Sequence, residues 1–204
     1  MRYFVSSLLV GALALSSVGF AQKGQAEKPD PNAKPTITKN TQNWRVIPVN
    51  VGRRDPSQYV PYSDFFPASG EVNVDVANTP SYDGAGVSCN VRITIPAPSG
   101  KDAMSGIGWD VQLTAYDPSW RSEIAVLITN VNGEGYVLRP GAADTSPGTG
   151  SYSSGGVNDL CGVYGSPPLP LPDGNLYLEF FETYDDFSDC VQDGNWDSGT
   201  LTFA

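Results

Sequence analysis

Seven carboxylates fall within nineteen residues near the C-terminus: Glu179, Glu182, Asp185, Asp186, Asp189, Asp193 and Asp197. Inside this run, Asp193-Gly194-Asn195-Trp196-Asp197-Ser198-Gly199 puts oxygen ligands at the first, third and fifth positions, with a glycine following. A tightly turned loop with that spacing can aim alternate side chains at one hard cation, and calcium takes six to eight such oxygens. The expected metal ligands are Asp193, Asn195 and Asp197, with Asp189 from the preceding turn, and the expected cofactor is Ca2+. The match to an EF-hand loop is partial. The glycine comes one place late, no Glu stands at the twelfth position, and no flanking helices are evident. The competing reading is a solvated acidic loop before the last strand.

The chain has no histidine among its 204 residues. That excludes a Ser-His-Asp or Cys-His pair, a His general base and the His-bearing zinc sites. Carboxylate chemistry remains, yet a glycosidase needs two carboxyls about 5 to 10 Å apart across a sugar cleft. Glu179 and Glu182 are three apart on an expected strand, so they project to opposite faces and cannot readily pair. The expectation is therefore a non-enzymatic protein, with a carboxylate-dependent glycan hydrolase or lyase as the alternative.

Ten Tyr and four Trp on a β-rich chain raise the possibility of a sugar-stacking platform. Trp120 and Trp196 lie beside turn formers and off a clean inward alternation, which makes them the expected ligand-binding rings. The opposing reading is that such rings fill sandwich cores. Of three cysteines, Cys89 alternates with Val87 and Val91 on an apolar face, whereas Cys161 and Cys190 lie in Gly- and Asp-rich connections. The expected disulfide is Cys161 to Cys190, leaving Cys89 as a buried thiol. A bridge from Cys89 across the core is the other possibility.

Strands must position these groups. Val72, Val74 and Val76 alternate with polar residues, as do Val87 to Ile95, Ile107 to Ala115, and Leu176, Leu178 and Phe180; this period of two marks half-buried strands. Ile124 to Ile128 is apolar on both faces, which suits a covered central strand, and Leu201 with Phe203 closes the chain. Asp83-Gly84, Pro96 to Gly100, Asp117-Pro118, Asn132-Gly133, Pro140-Gly141 and Asp173-Gly174 supply turns between them. No amphipathic helix of ten or more residues is evident. The expected fold is all-β, a single antiparallel β-sandwich or jelly roll over residues 44–204.

Residues 1–21 read as a secretory signal peptide: Arg2, an apolar stretch from Phe4 to Val18, and small Gly19 and Ala21 ahead of Gln22. Residues 22–43 carry Lys, Pro, Asn, Thr and Gln and read as a flexible linker. No later stretch is apolar enough for a membrane helix. The expected location is secreted, periplasmic or extracellular. Net charge is −10, and residues 140–204 hold ten carboxylates with no Lys or Arg. Such a surface repels phosphate backbones, so nucleic acid is not an expected partner.

Gly174-Asn175-Leu176-Tyr177-Leu178-Glu179-Phe180, the Asp-rich loop, and Ser198-Gly199-Thr200-Leu201-Thr202-Phe203 resemble the last two strands of jelly-roll modules such as the P domains of proprotein convertases. The resemblance covers about thirty residues. It implies a jelly-roll accessory module without catalysis, of a kind that often binds calcium. Two features depart from the pattern: Trp196 precedes the glycine, where that family places a Trp after it, and there is no protease domain. Residues and resemblance together lead to the expectation of a domain that binds a surface ligand, a glycan or an envelope protein, with calcium. A structural matrix component is the remaining alternative.

Overall fold

The computed structural model describes residues 45–62, 66–68, 70–97, 100–187 and 190–204. The expected signal peptide, the linker, Trp44 and Asp189 lie outside the described residues.

In chain order the strands are β1 (Val46–Asn50), β2 (Val60–Pro61), β3 (Phe66–Ala68), β4 (Glu71–Asp75), β5 (Thr79–Ser81), β6 (Arg92–Pro96), β7 (Ala103–Met104) and β8 (Gly106–Ala115). They continue as β9 (Ile124–Thr129), β10 (Glu134–Leu138), β11 (Gly148–Ser153), β12 (Asn158–Asp159), β13 (Leu169–Pro170), β14 (Asn175–Glu182) and β15 (Gly194–Phe203). Among the described residues the helical content is slight: one short helix, α1 (Leu160–Tyr164), and a 3-10 turn at Pro56–Gln58.

Two sheets form an all-β sandwich. The first runs β1-β10-β9-β14-β6-β2, and the second runs β11-β8-β15-β4-β3, with β12 beside β8 and β5 beside β15. Pairing is antiparallel except for the short β2 and β6 contact, which is parallel.

The alternations direct the inner faces. Ile107, Trp109, Val111, Leu113 and Ala115 of β8 meet Ile124, Val126 and Ile128 of β9 and Leu176, Leu178 and Phe180 of β14 in one buried core. Burying each large apolar side chain contributes about 1.5 to 3 kcal/mol, so a one-residue slip that turned these rows outward would forfeit most of the core. Strand β9 is buried on both faces, as its unbroken apolar run predicts, because Ala125 and Leu127 pack outside the core with Phe181, Val49 and Val137.

One expected strand is cut short. The apolar alternation from Val87 to Ile95 is extended only from Arg92 onward; residues 83–91 form turns that cross the outside of the first sheet. Asn90 pins them, its amide donating to the Gly84 carbonyl at 2.9 Å and to Glu179 Oε1 at 3.1 Å. Cys89 therefore sits in a loop and not on a core face, and it is bonded to Cys190. This corrects the expected Cys161 to Cys190 bridge. Cys161 is a free, exposed thiol, because α1 turns Leu160 and Tyr164 inward and leaves the next position facing outward.

Candidate functional site: a polar trough and an acid-lined end

The outer face of the second sheet is polar from edge to edge. β15 lies between β4 and β8, and its outward Thr202 stands opposite Asn73 on one side and Gly108 on the other. Thr202 donates its hydroxyl to Asn73 Oδ1 at 2.7 Å. Along the same strand Thr200 stands between Asp75 and Asp110.

The segment after β11 rises as a wall beside this floor. The Ser154 hydroxyl accepts from the Trp109 N–H at 2.8 Å and donates to the Gly156 carbonyl at 2.7 Å, which holds the segment down. It can lie so close because residue 108 is glycine: a Cβ there would stand 2.9 Å from the Gly156 oxygen. Floor and wall enclose a trough of about 460 Å3 lined by Glu71, Asn73, Asp110, Thr200, Thr202 and residues 153–157. A second hollow of about 280 Å3 shares Asp110 and extends the polar surface over Gln112, Ser151 and Ser198. Among the described residues, no Lys or Arg lines either hollow.

A second polar feature lies at one end of the sandwich, where β5, β14 and β15 meet. Ser81 pairs with Gly194, the Asp193 N–H donates to the Ser81 carbonyl at 3.0 Å, and the Glu182 N–H donates to the Asp83 carbonyl at 3.2 Å. On β14 the even positions Leu176, Leu178 and Phe180 face the core, and Glu182 continues that row. Glu182 and Asp193 are each 0% exposed. A Cβ on Gly194 would lie 3.0 Å from Glu182 Oε1, so this glycine lets the carboxyl into the interior.

Burial raises the Glu182 carboxyl well above its ordinary range; the Ser81 hydroxyl draws it down, and the charges of Asp193, Glu123 and Asp186 add to the rise. Burial likewise pushes Asp193 up to about 7, against the Asp186 N–H and with the help of Asp185, Asp186 and Asp83. Glu123 is also buried, and its Oε2 accepts the Trp120 N–H at 2.6 Å. The nearby guanidinium of Arg139, whose pKa burial lowers against the pull of Glu123 and Glu182, donates its Nε to the Ser122 carbonyl at 2.9 Å.

Glu179 behaves differently. It faces outward beneath the 83–91 loop, and its Oε1 accepts from the Gly86 N–H at 2.6 Å, the Asn90 amide at 3.1 Å and Arg92 Nη2 at 3.1 Å. Arg54 Nη2 stands 4.0 Å from its other oxygen. Glu179 thus fastens two loops over the first sheet, and Glu182 lies on the opposite face.

The structure does not gather the expected calcium set. Asp193 is interior, while Asn195 and Asp197 stand half-buried on the outer face of β15, already a strand there and not a loop. Asp197 has both oxygens engaged: Asn195 Nδ2 donates to Oδ1 at 2.8 Å and the Thr114 hydroxyl to Oδ2 at 2.6 Å. Among the described residues, Asp83, Cys89 and Cys190 bring ligand atoms within 4.8 Å of one another, but the two sulfurs are committed to the disulfide.

The expected ring platform is also corrected. Trp196 is 0% exposed and meets Phe180 edge to face at 5.4 Å. Trp120 is buried as well. A turn former beside a Trp reports the local chain path and not which way the ring points. The trough residues had a usable sequence signal, since Asn73, Asp110, Thr200 and Thr202 are the polar partners of apolar inward rows. Ser81 and Asp83 had none, because their place depends on β5 crossing from one sheet toward the other.

No family model matches the chain, and no curated protein matches it. Among solved structures, one described as a Nora virus structure aligns over 100% of this chain and 87% of its own, with 13% identity and a TM-score of 0.20, a likeness that carries no argument about fold or function.

Proposed function

We propose that the chain is an exported, non-enzymatic binding domain that takes a neutral, hydroxyl-rich ligand, a glycan chain, in the trough of the second sheet. The trough itself carries this reading: a walled cleft of about 460 Å3 lined by hydroxyls, an amide and carboxylates. Sugar hydroxyls both donate and accept, so a lining of Thr200, Thr202, Asn73, Asp110 and Glu71 matches them. Two carboxylates without a base disfavour a uronate or sulfated chain. Glu71 and Asp110 stand two strands apart and are offset along them, which supports binding over acid-base cleavage. Export is supported by the Cys89 to Cys190 disulfide, a bond that persists in oxidising compartments, and by the hydrophobic N-terminal sequence.

A glycan array probed with the chain from Gln22 onward tests the reading. Binding to neutral glycans that falls at least tenfold in Asp110→Ala and Thr200→Ala, with unchanged melting temperature, supports it. No retained glycan, or retention that ignores both substitutions, rejects the trough as the site.

A further inference from the structure

The acid-lined end presents an electrostatic problem that the described side chains meet only in part. Glu182 is fully buried, and among the described residues the Ser81 hydroxyl comes near enough to ease its carboxyl, without a hydrogen bond of ordinary geometry to either oxygen; Asp193 Oδ1 likewise accepts none. Arg139 lies near enough to feel Glu182, but its Nε and Nη2 both donate to the Ser122 carbonyl. Residues 140–204 contain no Lys or Arg that could come closer. An ionised carboxyl held in that state costs several kcal/mol unless a positive charge meets it.

Every donor atom available at this place is oxygen. The chain has no histidine, and the sulfurs of Cys89 and Cys190 are joined to each other. An all-oxygen set with two carboxyls suits a hard cation and not zinc or copper. The charges of Glu123 and Asp186 act on Glu182, and those of Asp185, Asp186 and Asp83 on Asp193, deepening the negative field.

We propose that Glu182 and Asp193, with the Ser81 hydroxyl oxygen, hold one hard divalent cation of the calcium class between the ends of β5, β14 and β15. Main-chain carbonyls and water complete its oxygen shell. The cation ties the two sheets together where the chain crosses between them, and it is independent of the trough. Of the four residues that the loop spacing singled out, Asp193 alone belongs to this site.

The test uses the full chain after treatment with a chelator, with calcium chloride as the probe. Thermal melts and titration calorimetry should give one calcium per chain and a rise in melting temperature of about 5 to 10 °C at a hundredfold excess over Kd. Glu182→Gln and Asp193→Asn keep the shape, remove the charge and should abolish the response, while Asp197→Asn on the outer face should retain it. Should either interior variant fail to fold, anomalous scattering from wild-type crystals soaked in manganese gives the second measurement: a peak between Glu182 and Asp193 supports the site, and its absence rejects it. A wild-type chain that calcium, magnesium and manganese leave unmoved, and that is stabilised only by acidification, overturns the proposal, as does a calcium response that survives both interior variants.

Discussion

Gly194 determines how closely β15 approaches Glu182. A methyl group there would stand 2.7 Å from Ile124 Cδ1 as well as 3.0 Å from the Glu182 carboxyl, so the Ile124 side chain must swing aside within a packed core. Gly194→Ala should therefore destabilise the fold by about 1 to 3 kcal/mol, measured by urea denaturation. Trp196→Ala empties a fully buried ring site and should cost about 3 to 5 kcal/mol. If it instead lowered glycan binding at full stability, the ring would be a ligand platform after all. Residue-scale inference from sequence succeeded where strand phase applied: the opposite facing of Glu179 and Glu182 follows from their spacing. It failed at Trp120, Trp196 and Cys89, whose orientations are set by turns and crossing segments that no alternation describes.

Among the elements, the turn between β10 and β11 is fastened by one carboxylate. Asp144 accepts from Arg121 Nη2, the Ser146 hydroxyl and the Tyr152 hydroxyl, each at 2.8 Å. Burial pushes its carboxyl up, but those donors outweigh it and hold the pKa below the ordinary 3.8. A carboxyl whose pKa is lowered on folding stabilises the native state fully above the unfolded value and loses that contribution as pH falls through the folded one. Stability should thus decline below about pH 4, and Asp144→Asn should flatten that limb while costing about 1 kcal/mol at neutral pH, a modest figure because the side chain is one-third exposed. The disulfide acts over a longer range. It closes a loop of 101 residues, and Cys89→Ser should cost about 4 to 5 kcal/mol in the chain-entropy model, whereas Cys161→Ser should change stability by less than about 0.5 kcal/mol. Calorimetric melts of the two variants separate these outcomes. Strand existence was legible in β4, β8, β14 and β15 from alternating rows and in β9 from its unbroken apolar run; the Val87 to Val91 segment mimicked such a row, but Asn90 holds it in turns through Gly84 and Glu179.

At the scale of the whole molecule, the second sheet turns a polar face outward, and the chain is strongly acidic. Its field should repel anionic ligands at low salt and leave neutral ones unaffected. Affinity for a neutral oligosaccharide should therefore change little with sodium chloride, while any residual affinity for an acidic one should rise as salt is added; calorimetry at low and high salt checks the contrast. The all-β class was readable from composition and period alone, since neither depends on which strand neighbours which. The trough was not, because it needs β4, β8 and β15 side by side, and that order is a property of the long-range pairing.

The Cys89 to Cys190 bridge also changes what a protease can accomplish. Four basic residues, Arg92, Lys101, Arg121 and Arg139, lie between the two cysteines, and none lies after Arg139. Trypsin can cut this interval after Arg92, Lys101 or Arg121, since Pro140 blocks cleavage after Arg139, and one such cut leaves both pieces covalently joined, with β14 and β15 untouched. A nicked chain should migrate as one species on a non-reducing gel and separate into two only when thiol is added.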